Sequence, residues 1–100
     1  MSGEKKYLIW IVPMVRDRLL RRFPTAPMKE ILQLVRERLS TRAKEGRPAP
    51  FPYPSGVLLL TIEEDTTLGK YRITPLYEIK GDDNAVDVLD VGMVRLENDA

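Results

Sequence analysis

Tyr71-Arg72-Ile73-Thr74-Pro75-Leu76-Tyr77-Glu78-Ile79-Lys80, then Gly81-Asp82-Asp83-Asn84 and Ala85-Val86-Asp87-Val88-Leu89-Asp90-Val91-Gly92, is the stretch that decides the fold. Tyr71, Ile73, Tyr77 and Ile79 alternate with Arg72, Thr74, Leu76, Glu78 and Lys80, the period of two expected of a strand with one face in a core. Residues 81–84 have the composition of a hairpin turn. Ala85 to Val91 then reads as a last strand, ended by Gly92. Proline inside a strand is confined to edges and bulges, so a bulge or break is expected at Pro75.

Outward from this hairpin, Val57-Leu58-Leu59-Leu60-Thr61-Ile62 reads as a preceding strand, and Glu63-Glu64-Asp65-Thr66-Thr67-Leu68-Gly69 as a polar loop turning at its glycine. The three strands make an antiparallel meander. Residues 47–56 carry prolines at 48, 50, 52 and 54, which block both helix and ladder and predict a stiff, extended connector with Phe51 and Tyr53 covering a core edge. Before it, Met28, Ile31, Leu32, Val35 and Leu39 form a helical stripe that stops near Ala43 or Lys44, with Thr25 as its N-cap and Pro27 in its first turn. Val15, Leu19, Leu20 and Phe23 give a shorter helix after Pro13, broken by Phe23-Pro24. Two helices joined so briefly form an antiparallel hairpin. Tyr7-Leu8-Ile9-Trp10-Ile11-Val12 is continuously apolar, which predicts a strand buried on both faces with Trp10 in the core. The class is therefore α+β: an N-terminal strand, a helical hairpin, then a three-stranded antiparallel meander, in one domain spanning 1–100 with a frayed tail at 96–100.

Composition narrows the chemistry. With 43% apolar residues, 31% charged residues and a net charge of +1, the chain is suited to a single core rather than to disorder. It has neither cysteine nor histidine, which removes disulfides, most zinc sites, Cys/His and Ser/His nucleophile pairs and the usual general base near neutral pH. Any catalysis would rest on Lys, Arg, Tyr, Asp or Glu, and no metal or cofactor is expected. Glu63, Glu64 and Asp65 are the only carboxylate run that suggests a hard cation, and a merely soluble loop explains them as well. No apolar run approaches the ~20 residues of a membrane span, and the first six residues lack signal-peptide features. A cytoplasmic protein is expected.

Charge is divided unevenly. Residues 1–50 hold twelve Lys/Arg against five acids, a net +7, and residues 51–100 hold four against ten, a net −6. Arg16, Arg18, Arg21, Arg22, Arg36, Arg38 and Arg42 lie on the predicted helices and form a candidate surface for a nucleic acid or an acidic partner. A plainly solvated helix face accounts for them too.

The element order, the step Tyr71-Arg72-Ile73 with Tyr77 and Ile79 after it, and Val86 through Gly92 in a V-x-V-L-x-V-G pattern together resemble the RelE/ParE superfamily of toxins. The resemblance implies a RelE-like fold and a toxin held silent by a wrapping antitoxin. Its target would be the ribosome, where RelE-like members cleave mRNA, or DNA gyrase, as for ParE-like members. If the chain is an enzyme, the resemblance implies a metal-independent endoribonuclease, monomeric or weakly dimeric when free. In that frame Arg72 matches the arginine that faces the scissile phosphate, and a planar guanidinium suits two phosphate oxygens. Arg95 is the nearest match to a basic residue after the glycine, displaced because it stands three residues past Gly92. The lysines of the second strand and the late tyrosine or histidine of active members have no counterpart here. Arg72 can equally pair across strands with Glu78 or Asp87, or serve Asp87 or Asp90 as a donor. Two other functions remain open: a non-catalytic interaction module on a RelE-like fold, and a nucleic-acid-binding protein acting through its basic helices.

Overall fold

The computed structural model describes residues 6–81 and 84–96. Strand β1 (Leu8–Ile11) leads through Val12 into helix α1 (Pro13–Arg22), and helix α2 (Met28–Arg42) follows. A 3-10 turn (Ala43–Glu45) precedes β2 (Arg47–Pro48), and then come β3 (Leu58–Leu59), β4 (Ile62–Thr66), β5 (Gly69–Lys80) and β6 (Ala85–Leu96). The sheet runs β1-β6-β5-β3-β2, and β4 pairs with β5 beyond β3. All pairings are antiparallel except that of β1 with β6, which runs from Leu8 opposite Ala85 to Ile11 opposite Val88. The expected α+β order and meander are present. Among the described residues, no helix is long and apolar enough to cross a membrane.

Both helices pack on one face of this sheet. Val15 and Leu19 of α1, and Ile31, Val35 and Leu39 of α2, meet Ile73 and Tyr77 of β5 and Val86, Val88 and Val91 of β6 in one core. Pro13 starts α1 where its missing N–H costs nothing, and Arg21 and Arg22 sit in the last turn, where the helix dipole favours cations. Thr25 does not cap α2. Pro27 occupies that position and its carbonyl accepts from Ile31 N–H at 3.0 Å, with no side-chain cap.

Because the helices cover one face only, the N-terminal strand is not buried on both. Leu8 is 73% exposed and Trp10 63% exposed, while Ile9 and Ile11 turn toward the core. A continuous apolar run here marks a sheet edge rather than a sheet centre, and Trp10 lies outside the core.

The first meander strand also differs from expectation. It breaks after Leu59 and resumes at Ile62, so Glu63-Glu64-Asp65 lies in β4 rather than in a loop. The break falls opposite Pro75, whose carbonyl accepts from Leu60 N–H at 3.3 Å. A strand residue turns its N–H and C=O toward the same neighbour. The donor that Pro75 lacks would therefore have pointed at this gap, which is how a buried proline is tolerated inside β5. The register irregularity comes one step later. Leu76 pairs with Asp90 and Tyr77 with Val88, which leaves Leu89 as the extra residue of a bulge in β6.

Gly92 does not end the last strand. It pairs with Thr74, and β6 continues to Leu96, the first residue of the expected tail. Residues 97–100, and Asp82 and Asp83 of the expected turn, lie outside the described residues. The proline stretch opens as β2, the edge of the sheet farthest from β1. Phe51 beyond it is 95% exposed and Tyr53 42% exposed, so neither covers the core.

Candidate functional site

Arg72 stands on the sheet face away from the helices, in a row with Glu63 of β4 and Val94 of β6. Its Nε donates to Glu63 Oε2 at 2.9 Å, so its carboxylate partner is neither Glu78 nor Asp87. Those two face each other across β5 and β6, and Lys80 Nζ bridges them at 3.7 and 3.8 Å. Asp90 is within 3.5 Å of Arg18, not Arg72, and also accepts from Val91 N–H. These pairs are half-exposed, so each contributes at most about 1 kcal/mol. What they decide is charge: the surroundings of Arg72 are acidic.

Arg95 lies in the neighbouring row, with Tyr71 and Glu64, and therefore on the opposite face. It lies against Gly69, where an added Cβ would come within 3.2 Å of its Nε. One residue of displacement in a strand reverses the face. The two arginines singled out from the sequence are not brought together, and Val94 occupies the position that would complete a basic pair with Arg72. Glu63 and Asp65 point one way and Glu64 the other, bound to Arg38 of α2, so the carboxylate run does not converge on a cation. Among the described residues no cluster suited to a metal is present.

Tyr71 and Tyr77 are buried, as their alternation implies. Tyr77 Oη donates to the carbonyl of Ala43 at 2.6 Å. Burial, and then the Glu45 charge, push its phenol up to about 12. It stays protonated near neutral pH and is no general base.

The basic helices divide in two. Arg18, Arg38 and Arg42 are tied to Asp90, Glu64 and Glu45 respectively. Arg16, Arg21, Arg22 and Arg36 are exposed and make no ion pair among the described residues. Arg16 and Arg36, with Lys29, rim a cleft of about 610 Å³ between the end of β1 and the two helices. Ile11, Val12, Met28 and Leu32 give it apolar walls, and Asp17 is its one acid. Beside it runs the outer edge of β1. Leu8 N–H donates to the carbonyl of Asn84, just before β6, and Val12 N–H to that of Val88 on β6, so the backbone of Ile9 and Ile11 points outward. Ser40 closes this edge at its start by accepting from Tyr7 N–H at 2.9 Å.

Lys29 and the apolar walls were not singled out from the sequence. The signal was Leu32, one residue off the buried stripe Ile31, Val35 and Leu39 and only partly covered.

No protein-family profile matches this chain, and no curated protein matches it. Among solved structures, a chain of the toxin–antitoxin complex RelBE2 from Mycobacterium tuberculosis is similar, with a TM-score of 0.59 and 19% identity. The match covers 92% of this chain and 95% of that one. The fold is RelE-like. Within that RelE-like frame the open sheet face is acidic and its two arginines are split, while the helical side offers a basic, apolar-walled cleft.

Proposed function

We propose that this chain is the toxin-like member of a toxin–antitoxin pair, acting in the cytoplasm, and that its antitoxin docks on the α1–α2 cleft and the adjoining edge of β1. The observation that carries this reading is the cleft itself: apolar walls, a rim of Arg16, Lys29 and Arg36, and outward-facing backbone groups of Ile9 and Ile11. Such a surface suits a segment that brings apolar side chains and carboxylates together. The similar solved structure is itself of a toxin–antitoxin complex, which supports a partner of this kind.

The same geometry favours action by binding over cleavage of mRNA. For Arg72 to reach a phosphate it must leave Glu63, on a face where Glu63, Glu78 and Asp87 oppose a polyanion. The cation next to it on the same face, Lys70, stands opposite Asp65, and Arg95 is on the other face. Inhibition of a protein target such as gyrase, or non-catalytic engagement of the ribosome, fits these residues better than endoribonuclease chemistry.

Growth of a host culture on induction of the chain alone, with and without co-expression of the product of its neighbouring gene, tests the proposal. Wild type and Arg72→Ala are expected to arrest growth equally. Co-expression is expected to relieve wild type but not a Lys29→Glu/Arg36→Glu variant. Arrest lost in Arg72→Ala would return the activity to the sheet face and to RNA cleavage. No arrest by either chain would leave an interaction module and remove the toxin reading.

A further inference from the structure

At the far edge of the sheet from β1, the loop between β2 and β3 carries a different kind of surface. Phe51 is 95% exposed at a segment stiffened by Pro48, Pro50, Pro52 and Pro54. Three internal hydrogen bonds brace it: Ala49 N–H to Val57 O at 2.8 Å, Tyr53 N–H to Pro50 O at 3.1 Å, and Val57 N–H to Pro54 O at 3.3 Å. An aromatic ring held in water by so constrained a backbone gains nothing for the fold, since no core residue touches it. At the base of the loop a cleft of about 420 Å³ is lined by Arg42, Glu45, Arg47, Leu59, Leu60 and Thr61. Arg42 is occupied by Glu45 at 3.0 Å, but Arg47 is exposed and makes no ion pair among the described residues, and Lys44 is exposed just before it. From Gly46 to Ile62 there is no carboxylate at all.

We infer that this loop is a docking point for single-stranded nucleic acid, in which a base stacks on Phe51 and the adjoining phosphates lie along Arg47 and Lys44. A flat ring is sequence-tolerant toward bases, because every base offers a π-face, and cations beside it track the backbone. Charge selects this occupant over an apolar protein pocket. The loop itself carries no carboxylate, and Glu45, the acid of the adjoining cleft, is held by Arg42, so Arg47 and Lys44 are left to meet a polyanion, while the loop's rigidity removes the ordering cost a flexible aromatic arm would incur. The surface is distinct from the α1–α2 cleft, so the inference does not depend on the antitoxin proposal.

Fluorescence anisotropy of short labelled oligouridylate and oligothymidylate with the full chain, at low and moderate salt, tests it. Phe51→Ala is expected to weaken binding about fivefold or more, the lower end of what one stacked base contributes. Phe51→Trp is expected to restore it, which a merely structural role would not do. Arg47→Ala is expected to lower the slope of log K on log salt by about 0.7, the share of one phosphate on a single strand. Arg21→Ala/Arg22→Ala should leave binding unchanged. Either oligonucleotide meeting these conditions supports the inference, and the tighter one names the strand. Binding by Phe51→Ala equal to wild type, loss on the helix substitutions instead, or no binding by wild type at low salt each overturns it.

Discussion

Replacing Gly46 by alanine tests the packing that joins the end of α2 to the sheet. Gly46 has φ −65° and ψ 152°, a backbone that any residue adopts, so the substitution carries no conformational penalty of the left-handed kind. Its cost lies in space. A Cβ at this position would penetrate the Tyr77 hydroxyl and stand 2.9 Å from Tyr77 Cζ and 3.1 Å from the carbonyl oxygen of Leu59. Tyr77 is fully buried and cannot swing into solvent. Overpacking of this kind costs about 1–3 kcal/mol. Displacing the phenol also breaks its 2.6 Å hydrogen bond to Ala43 O, a further loss of about 1–3 kcal/mol. Gly46→Ala is therefore expected to destabilise by about 2–6 kcal/mol in urea unfolding at constant m-value. Tyr77→Phe alone is expected to cost about 1–2 kcal/mol, moderated because Ala43 O also accepts from Gly46 N–H at 3.4 Å. Combined, the two should cost less than their sum, since removing the hydroxyl vacates the space the methyl needs. The coupling is expected to be at least about 0.5 kcal/mol. A Gly46→Ala protein within about 0.5 kcal/mol of wild type, or strict additivity with Tyr77→Phe, would refute the packing argument.

The same tyrosine sets an alkaline limit. Its phenol is raised from 10.0 to about 12, so the folded state holds the proton more tightly than the unfolded state. That stabilisation is complete below about pH 10 and is lost as pH rises through about 12, a change of roughly 2–3 kcal/mol in urea titrations that Tyr77→Phe should abolish. Trp10 is the only tryptophan and is 63% exposed, so native emission should already be that of a solvated indole, open to acrylamide, and change little on unfolding. A strongly blue-shifted native spectrum would show that it is covered. Deleting Leu89 should prevent folding, because every later residue of β6 changes face, whereas Leu89→Ala should stay within about 0.5 kcal/mol, since the side chain is 36% exposed. Circular dichroism and thermal melts of the two variants distinguish these outcomes.

The helices were legible because proline and periodicity act locally. Pro13 and Pro24 bracket α1, and Met28, Ile31, Val35 and Leu39 are the buried stripe of α2 in the structure as in the sequence. The errors arose where the deciding neighbour is distant in the chain. Whether Leu8 and Trp10 are buried depends on which face the helices cover, and a continuous apolar run carries no information about that. Glu63-Glu64-Asp65 looked like a loop because it is charged, yet a strand accepts it once Glu64 can reach Arg38 on α2. Phe51 reads as the cover of a core edge because it is aromatic, yet it is 95% exposed, and nothing in its local sequence shows whether the sheet reaches it. Likewise the cleft at Ile11 and Leu32 needed the relative position of strand and helices, which no local pattern contains.

The most consequential feature was present in the sequence as a change of spacing. Valines at 86 and 88 keep a period of two, and Val91 and Met93 keep it again, but the step between the pairs is three. All four are buried, which is possible only if one residue between them is surplus, and the pairing identifies it as Leu89. Arg95 follows Val91 and Met93 by the same period, so its face was set by that bulge. Without the surplus residue, the positions facing Arg72 and those facing the helices would exchange along the end of β6. Thus the offset of Arg95 by one residue from Val94, the position opposite Arg72, is a reversal of sides rather than a small shift along the strand. It leaves Arg72 with Glu63 and Val94 as its cross-strand neighbours, and Lys70 beside it opposite Asp65. A sheet face so arranged has little left with which to stabilise a pentacoordinate phosphate. Of the cationic side chains outside that face, Arg16, Lys29 and Arg36 gather at the α1–α2 cleft beside β1 and Lys44 and Arg47 beside the loop beyond β2, and those two edges are where recognition is expected to reside.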